Sequence, residues 1–385
     1  MTRDRASKRP RPHKQRMKRS YVDDQLPPLD DDDVVAGLEA IDAKRARVEP
    51  VAVPAAVTSP AWTPPKLDAA SLAPYFHQLA TQGYTVIEGV VDPLLCASVH
   101  ERLRAFLVEA LVPLEGNNIK VGGYNPHGIH QHLEAGHAQA VWDVRMQPGV
   151  ASVFEHMYGD NDLQVSFDGF CYMPAGYRDN GRNWFHTDQS HNRPGLRCIQ
   201  SYVNITSSHD AQSGSLEVVP RSHLMHSNFR ANDAARANND DWFKYDPSHI
   251  AWMSCPPPVR VFGGVGSLVL WDSRTAHHAR PPSAELVHAR DRCVVYVCMQ
   301  PRLLADDKRM ASRVKWFDSY RMTTHWPASK VKPFSKEWHS YGKPKTVRTP
   351  ARTRVESPRM LELAGKTRMV TQERRRSPPG LKFVQ

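Results

Sequence analysis

Residues 163–173 read LQVSFDGFCYM, and with them the chain changes from helical patterns to short β-prone runs. Similar runs, each bounded by turn residues, recur at 198–206, 215–219, 267–271 and 292–299. Runs of this length rich in Val, Tyr and Phe are typical of strands. Because helices precede many strands, the sequence predicts an α+β fold whose main body is a β-sandwich or barrel.

The helical part precedes residue 163. Residues 69–81 have apolar residues at helical spacing, with Asp68 as the expected N-cap and Gly83 as the stop. Asp92-Pro93 supplies a capping side chain and a proline for the first turn of a helix that reaches about Leu111. A further helical region is expected near 139–158. The folded body therefore begins near Leu67.

Composition excludes several classes of protein. The 385 residues are 40% hydrophobic, which is enough for a substantial core. No apolar run approaches the roughly 18–20 residues of a membrane span, and the first twenty residues lack an apolar signal core. The six cysteines form no CxxC pair, so we expect free thiols in a reducing, intracellular compartment.

Charge divides the chain into three parts. Residues 1–20 carry nine Lys/Arg against one Asp, and residues 343–385 carry twelve against three Glu, although the net charge of the whole chain is only +11. We predict a disordered basic tail and Pro/Ala linker at 1–66, one folded domain at 67–342, and a disordered basic tail at 343–385. The first basic cluster indicates nuclear localisation or contact with a polyanion.

The sequence His186-Thr187-Asp188 is the first chemical signal. In a strand, residues two apart point to the same face, so this imidazole and carboxylate can bind one metal ion. His277 follows 91 residues later, directly after a β-run. Two histidines and one carboxylate form the facial triad of non-haem iron(II) oxygenases.

Two positions have competitors nearby. His278 adjoins His277, and Arg290 competes with Arg292, which begins the run RCVVYVCM. A guanidinium there can bind a dicarboxylate through two hydrogen bonds. We prefer Arg292, since it alternates onto the same strand face as Val294 and Tyr296.

Several motifs together resemble the phytanoyl-CoA dioxygenase-like family of Fe(II)/2-oxoglutarate oxygenases. In chain order they are SFDGFCYMP, NWFHTDQS, IQSYVNIT, GSLEVVPRSH, GSLVLWDSRTAH and RCVVYVCMQP. The family's frequent PGSH stands here as Pro-Arg-Ser-His at 220–223. The resemblance covers roughly residues 68–305, and the family's SRTxH pattern favours His277 over His278.

The resemblance implies a double-stranded β-helix, a jelly-roll or cupin-like core flanked by N-terminal helices. It places His186, Asp188 and His277 on iron and Arg292 on the distal carboxylate of 2-oxoglutarate. Gln200 and Tyr202 fall on positions that line the cosubstrate. The implied cofactors are Fe(II), 2-oxoglutarate and O₂, with ascorbate as a possible addition. The implied reaction hydroxylates a C–H bond and releases succinate and CO₂.

A different class of function starts from the tails. In this alternative, the chain is a nuclear nucleic-acid or chromatin-binding protein that uses its basic tails, and the oxygenase fold is catalytically idle. The expected substrate of the enzyme is unidentified: a small molecule, an acyl thioester or a nuclear macromolecule. Turnover of 2-oxoglutarate separates the two hypotheses. The long polar stretch 226–250 is expected to cross the mouth of the β-body, either as a functional lid or as an inert surface insertion.

Overall fold

The computed structural model describes residues 62–110, 127–175, 184–210, 213–238, 240–282, 290–334 and 348–368. The α-helices of this part are α1 Ala69–Gln82, α2 Pro93–Glu109, α3 Gln139–Arg145, α4 Pro148–Tyr158, α5 Ser222–Met225, α6 Asp233–Ala237, α7 Pro247–Trp252, α8 Asp307–Asp318 and α9 Pro358–Ala364. In these residues no helix has the length and apolar character to span a membrane.

The first helices begin and end where the sequence predicts. The Asp68 side chain accepts a hydrogen bond from the Ser71 N–H at 2.8 Å, and Gly83 ends α1 in the left-handed conformation with φ +86°. Asp92 caps α2 in the same way, with Pro93 in the first turn. The helical region near 139–158 is split into α3 and α4, because Pro148 starts a new helix.

The described residues form thirteen short strands. They are β1 Tyr84–Ile87, β2 Ile129–His130, β3 Leu163–Val165, β4 Phe170–Met173, β5 His186–Thr187, β6 Ile199–Asn204, β7 Ser215–Val218, β8 Phe243–Lys244, β9 Val259–Val261, β10 Leu268–Asp272, β11 His277–Arg280, β12 Arg292–Tyr296 and β13 Met299–Pro301. Every pairing between them is antiparallel.

The strands form two main sheets. The larger has the order β1-β10-β6-β12-β4-β2, the smaller has the order β8-β5-β11-β7-β9, and β13 pairs with β3 separately. Side chains from both sheets, among them Tyr202, Trp271, Val218 and Val294, form one buried apolar cluster. A second and larger cluster joins the outer face of the six-stranded sheet to helices α1–α4. The predicted α+β architecture of helices and antiparallel sheets is confirmed.

The end of the chain differs from the prediction of a disordered tail from residue 343. Residues 348–368 form a strap, so called here, that crosses the folded body and ends in α9. Met360 and Leu363 of α9 are fully buried. The Glu362 carbonyl accepts a hydrogen bond from the Gln164 side chain at 3.2 Å, beside β3. The segments 343–347 and 369–385, like residues 1–61 with the first basic cluster, lie outside the described residues.

The strap is held by the charges that suggested a solvated tail. Arg352 forms two hydrogen bonds to the carboxylate of Glu134, both at 2.8 Å. The Arg354 guanidinium lies 3.8 Å from the ring centroid of Phe317 and 3.9 Å from that of Tyr320. The sequence pattern did not reveal this, because a basic segment bound to its own acidic body has the same composition as a free one.

Candidate metal centre

Three predicted ligands converge at one end of the smaller sheet. His186 lies on β5, Asp188 is the first residue after β5, and His277 begins β11 opposite His186 in the antiparallel register. His186 Nε2 is 3.6 Å from Asp188 Oδ1, and His277 Nε2 is 3.6 Å from Asp188 Oδ2. One ligand atom from each residue lies within 4.8 Å of the other two, a spacing that suits one shared metal ion.

Backbone carbonyls fix the tautomer of both imidazoles. His186 Nδ1 lies 3.0 Å from the Trp184 carbonyl oxygen, and His277 Nδ1 lies 2.9 Å from that of Thr275. A carbonyl oxygen only accepts, so each Nδ1 carries the proton and donates it. The lone pair of each Nε2 is thereby left to face Asp188, and orienting hydrogen bonds of this kind are typical of metal-binding histidines.

Electrostatics keep the three side chains in the forms that bind a cation. Burial lowers the pKa of His277 to about 3, to which the nearby His186 contributes, and burial also lowers the pKa of His186. Burial by itself raises the pKa of Asp188, but the two histidines outweigh it and the pKa is lowered. At neutral pH the donor set is therefore two neutral imidazoles and one carboxylate, which fits iron(II).

Asp188 is held from two further sides. Gln200 on β6 donates from Nε2 to Asp188 Oδ2 at 3.0 Å. Trp326 donates from its indole N–H to the backbone carbonyl of Asp188 at 3.2 Å. The carboxylate is thus oriented through its side chain and its main chain by residues 12 and 138 positions away.

The structure separates the residues that the sequence left in competition. His278 lies on the opposite strand face from His277, and its Nε2 is 2.6 Å from Glu217 Oε2. Arg290 is exposed, whereas Arg292 is 3% exposed. Arg292 contacts Cys171 and His277 packs on Trp271, and both partners belong to the apolar cluster between the sheets, so both side chains face that interior.

Arg292 is a buried cation with soft or neutral partners. It donates from Nη1 to Cys171 Sγ at 2.9 Å, and its guanidinium lies 5.4 Å from the ring centroid of Tyr202. Burial lowers the pKa of Arg292, but Cys171 and Tyr202 more than offset this and the pKa is raised, so the group stays charged. No carboxylate pairs with it in the described part of the chain. A buried cation in this state fits an anionic ligand.

A glycine makes room for this arginine. A Cβ built on Gly214 would lie 2.4 Å from Arg292 Cδ and 2.9 Å from Arg292 Cβ. Tyr202, predicted together with Gln200, lies beside Arg292, and Gln200 lies beside Asp188. These two residues of β6 thus connect the metal-ligand cluster with the arginine within the space between the two sheets.

His325 is a residue near the site that the sequence reasoning missed. Its Nδ1 forms an ion pair with Asp168 Oδ2, and its ring packs edge-on against Tyr296 at 4.6 Å and Trp271 at 6.1 Å. Burial lowers the pKa of His325, but Asp168 outweighs burial and the pKa is raised. The segment lies beyond the last strand, and no local motif marks it. The one sequence feature that could have pointed to it is its partner Asp168, an acidic residue within the β-prone motif SFDGF.

Two imidazoles and a carboxylate on one side of a shared position form the donor set typical of non-haem iron(II) oxygenases. The family model described as phytanoyl-CoA dioxygenase (PhyH) matches residues 79–285, slightly more than half of the chain. The chain therefore belongs to the phytanoyl-CoA dioxygenase family. This confirms the predicted family.

Individual relatives are distant. "Ava biosynthesis cluster protein O" from Aspergillus versicolor is 28% identical over 201 residues, which are 50% of this chain and 64% of that protein. The match thus spans slightly less than two thirds of the relative's length. A solved structure of an oxidoreductase from Salmonella typhimurium LT2 superposes with a TM-score of 0.52 at 11% identity, over 87% of this chain and 91% of the other, and shares the fold. HygX from Streptomyces hygroscopicus, solved with nickel and 2-oxoglutarate bound, is 15% identical, with a TM-score of 0.39 over 59% and 86%.

Proposed function

We propose that this chain is a dioxygenase that hydroxylates a C–H bond of a small molecule and releases succinate and CO₂. The observation that carries the proposal is the convergence of His186, Asp188 and His277 with both Nδ1 atoms already engaged. We interpret the two facing antiparallel sheets as the double-stranded β-helix of this class, with the metal at one open end.

In this proposal each residue has a separate task. His186, Asp188 and His277 would hold iron(II). Arg292 binds the distal carboxylate of 2-oxoglutarate, which its burial without a carboxylate partner in the described residues supports. Gln200 keeps the Asp188 carboxylate in place, and Tyr202 forms the wall beside Arg292.

When bound, iron(II) with 2-oxoglutarate and O₂ would supply the oxidising chemistry. The chain's own contribution is to orient the reactants and exclude water. Trp184 stacks on His186 with ring centroids 5.0 Å apart, and Trp271 lies 5.3 Å from the ring of His277. Both tryptophans are at most 8% exposed, so they shield the ligands on two sides.

The deciding experiment measures succinate. Purified protein with iron(II), ascorbate and 2-oxoglutarate should release succinate, and His277→Ala should abolish the release. His278→Ala is the matched control, because its Nε2 is engaged by Glu217 away from the ligands. A protein that binds iron but releases no succinate in the presence of any candidate substrate would instead fit the idle fold of the tail-based alternative.

A further inference from the structure

A lysine lies directly across from one metal ligand. Strand β8 pairs with β5 so that Lys244 is opposite His186 and Phe243 is opposite Thr187. Residues directly opposite in an antiparallel pair share one face of the sheet, so Lys244 lies on the face that carries the metal ligands. Lys244 is exposed, and within the described residues no carboxylate forms an ion pair with it.

A tryptophan adjoins this lysine on the same face. Trp242 is two residues before Lys244, and its ring centroid is 5.7 Å from that of His186 with a tilt of 35°. It is 42% exposed, although it stands beside a ligand that is almost fully buried. Ligand sites are typically lined by aromatic side chains together with a few polar or charged groups that fix the ligand's orientation, and Trp242 with Lys244 supplies one of each.

The backbone around Trp242 is well supported. Its carbonyl accepts a hydrogen bond from the Asn238 side chain at 2.9 Å, and the preceding Asp241 forms an ion pair with Arg193. The aromatic face and the cation are therefore presented by a segment with its own hydrogen bonds. Removing either side chain leaves these bonds in place.

We propose that Trp242 and Lys244 form the substrate subsite beside the iron, and that the substrate is a small organic acid with an aromatic or conjugated ring. Trp242 stacks on the ring, and Lys244 binds the anionic oxygen. The proposal rests on the proposed function, since an iron(II) ion held by His186, Asp188 and His277 would make this face the reacting one. It adds the chemical class of the substrate.

The test uses three probes that separate the ring from the charge. Calorimetry measures their binding to the anaerobic protein loaded with iron(II) and 2-oxoglutarate: 2-naphthylacetate, its neutral amide, and cyclohexylacetate. We expect 2-naphthylacetate to bind about tenfold more tightly than either of the other two. Trp242→Ala should remove the preference for naphthyl over cyclohexyl, and Lys244→Met should remove the preference for the acid over the amide.

Two controls come from the same chain. Trp252 is 50% exposed ten residues after Trp242, but its ring packs on Phe229 at 5.3 Å rather than beside His186. Trp252→Ala and Lys308→Met should leave all three affinities unchanged. Equal binding of the three probes, or variants at 242 and 244 that behave like the controls, would overturn the subsite. Failure of the wild-type protein to bind iron(II) and 2-oxoglutarate would instead contradict the proposed function.

Discussion

Replacement of Arg292 tests the cosubstrate site most directly. The guanidinium is 3% exposed and has a thiol and an aromatic ring as partners, so an incoming carboxylate meets a charge that is already stripped of water. Loss of one partner of a buried, hydrogen-bonded charge pair costs about 2–4 kcal/mol. Arg292→Met should therefore weaken 2-oxoglutarate binding roughly 30- to 1000-fold.

The same substitution should have little effect on folding without the cosubstrate. In the described residues Arg292 has no carboxylate partner, so its removal leaves no anion buried alone, and Met fills much of the volume. We expect an unchanged or higher Tm, together with unchanged iron binding through His186, Asp188 and His277. Arg292→Lys should restore part of the affinity, because an ammonium cannot reproduce the planar fork.

Isothermal titration of 2-oxoglutarate into the iron-loaded protein measures the effect, and thermal unfolding measures stability. Arg290→Ala is the matched control, since Arg290 is exposed two residues earlier on the same chain segment. The reasoning is refuted if Arg292→Met binds 2-oxoglutarate like the wild type, or if Arg290→Ala shows the larger loss.

Four further changes address other parts of the molecule. Asp188→Ala should abolish iron binding measured by metal analysis and leave the circular dichroism spectrum unchanged; retention of tight iron would contradict the ligand assignment. Gly214→Ala should raise the Kd for 2-oxoglutarate and not that for iron, because the new Cβ would lie 2.4 Å from Arg292 Cδ; equal Kd values would disprove this close packing. Asp168→Asn should destabilise the protein by about 3–5 kcal/mol in urea unfolding at neutral pH, since it leaves Arg145 and His325 buried without their carboxylate. The pKa of Asp168 is lower in the folded protein than in the unfolded chain, so its carboxylate stabilises the fold at pH values above the unfolded-state pKa of about 4. The difference in unfolding free energy between wild type and Asp168→Asn should therefore shrink as pH falls below about 4; a difference that grows in acid would refute this reasoning. Truncation after residue 347 should lower the Tm strongly, because it removes the buried side chains of Met360 and Leu363, each worth roughly 1.5–3 kcal/mol; an unchanged Tm would mean that α9 is not part of the core.

Local rules were enough for the parts of the site that follow strand parity. Residues two apart share a face, so the common face of His186 and Asp188 could be predicted from the sequence. The same rule puts Arg290 and Arg292 on one face, and it is their burial in the structure that distinguishes them. The caps of α1 and α2 follow from similar short-range chemistry at Asp68, Gly83 and Asp92.

Contacts between distant segments could not be predicted in this way. His325 reaches Asp168 from 157 positions further along the chain, and Lys244 meets His186 through a register that depends on the whole loop between them. The ordered strap at 348–368 was missed for another reason. Its arginines pair with Glu134 and stack on Phe317, and composition alone does not distinguish such arginines from solvated ones.

The strap also determines how late in synthesis the protein can finish folding. The Gln164 side chain is bonded to Glu362, 198 positions later, and Arg313 donates to the carbonyls of Val165 and Leu363 at 2.7 and 3.4 Å. All thirteen strands described above leave the ribosome well before this last helix. A nascent chain therefore holds an open apolar surface at β3 until residue 364 emerges, and folding dominated by such distant contacts is slow. We expect nascent chains stalled before that point to bind chaperones and to be cleaved readily by protease.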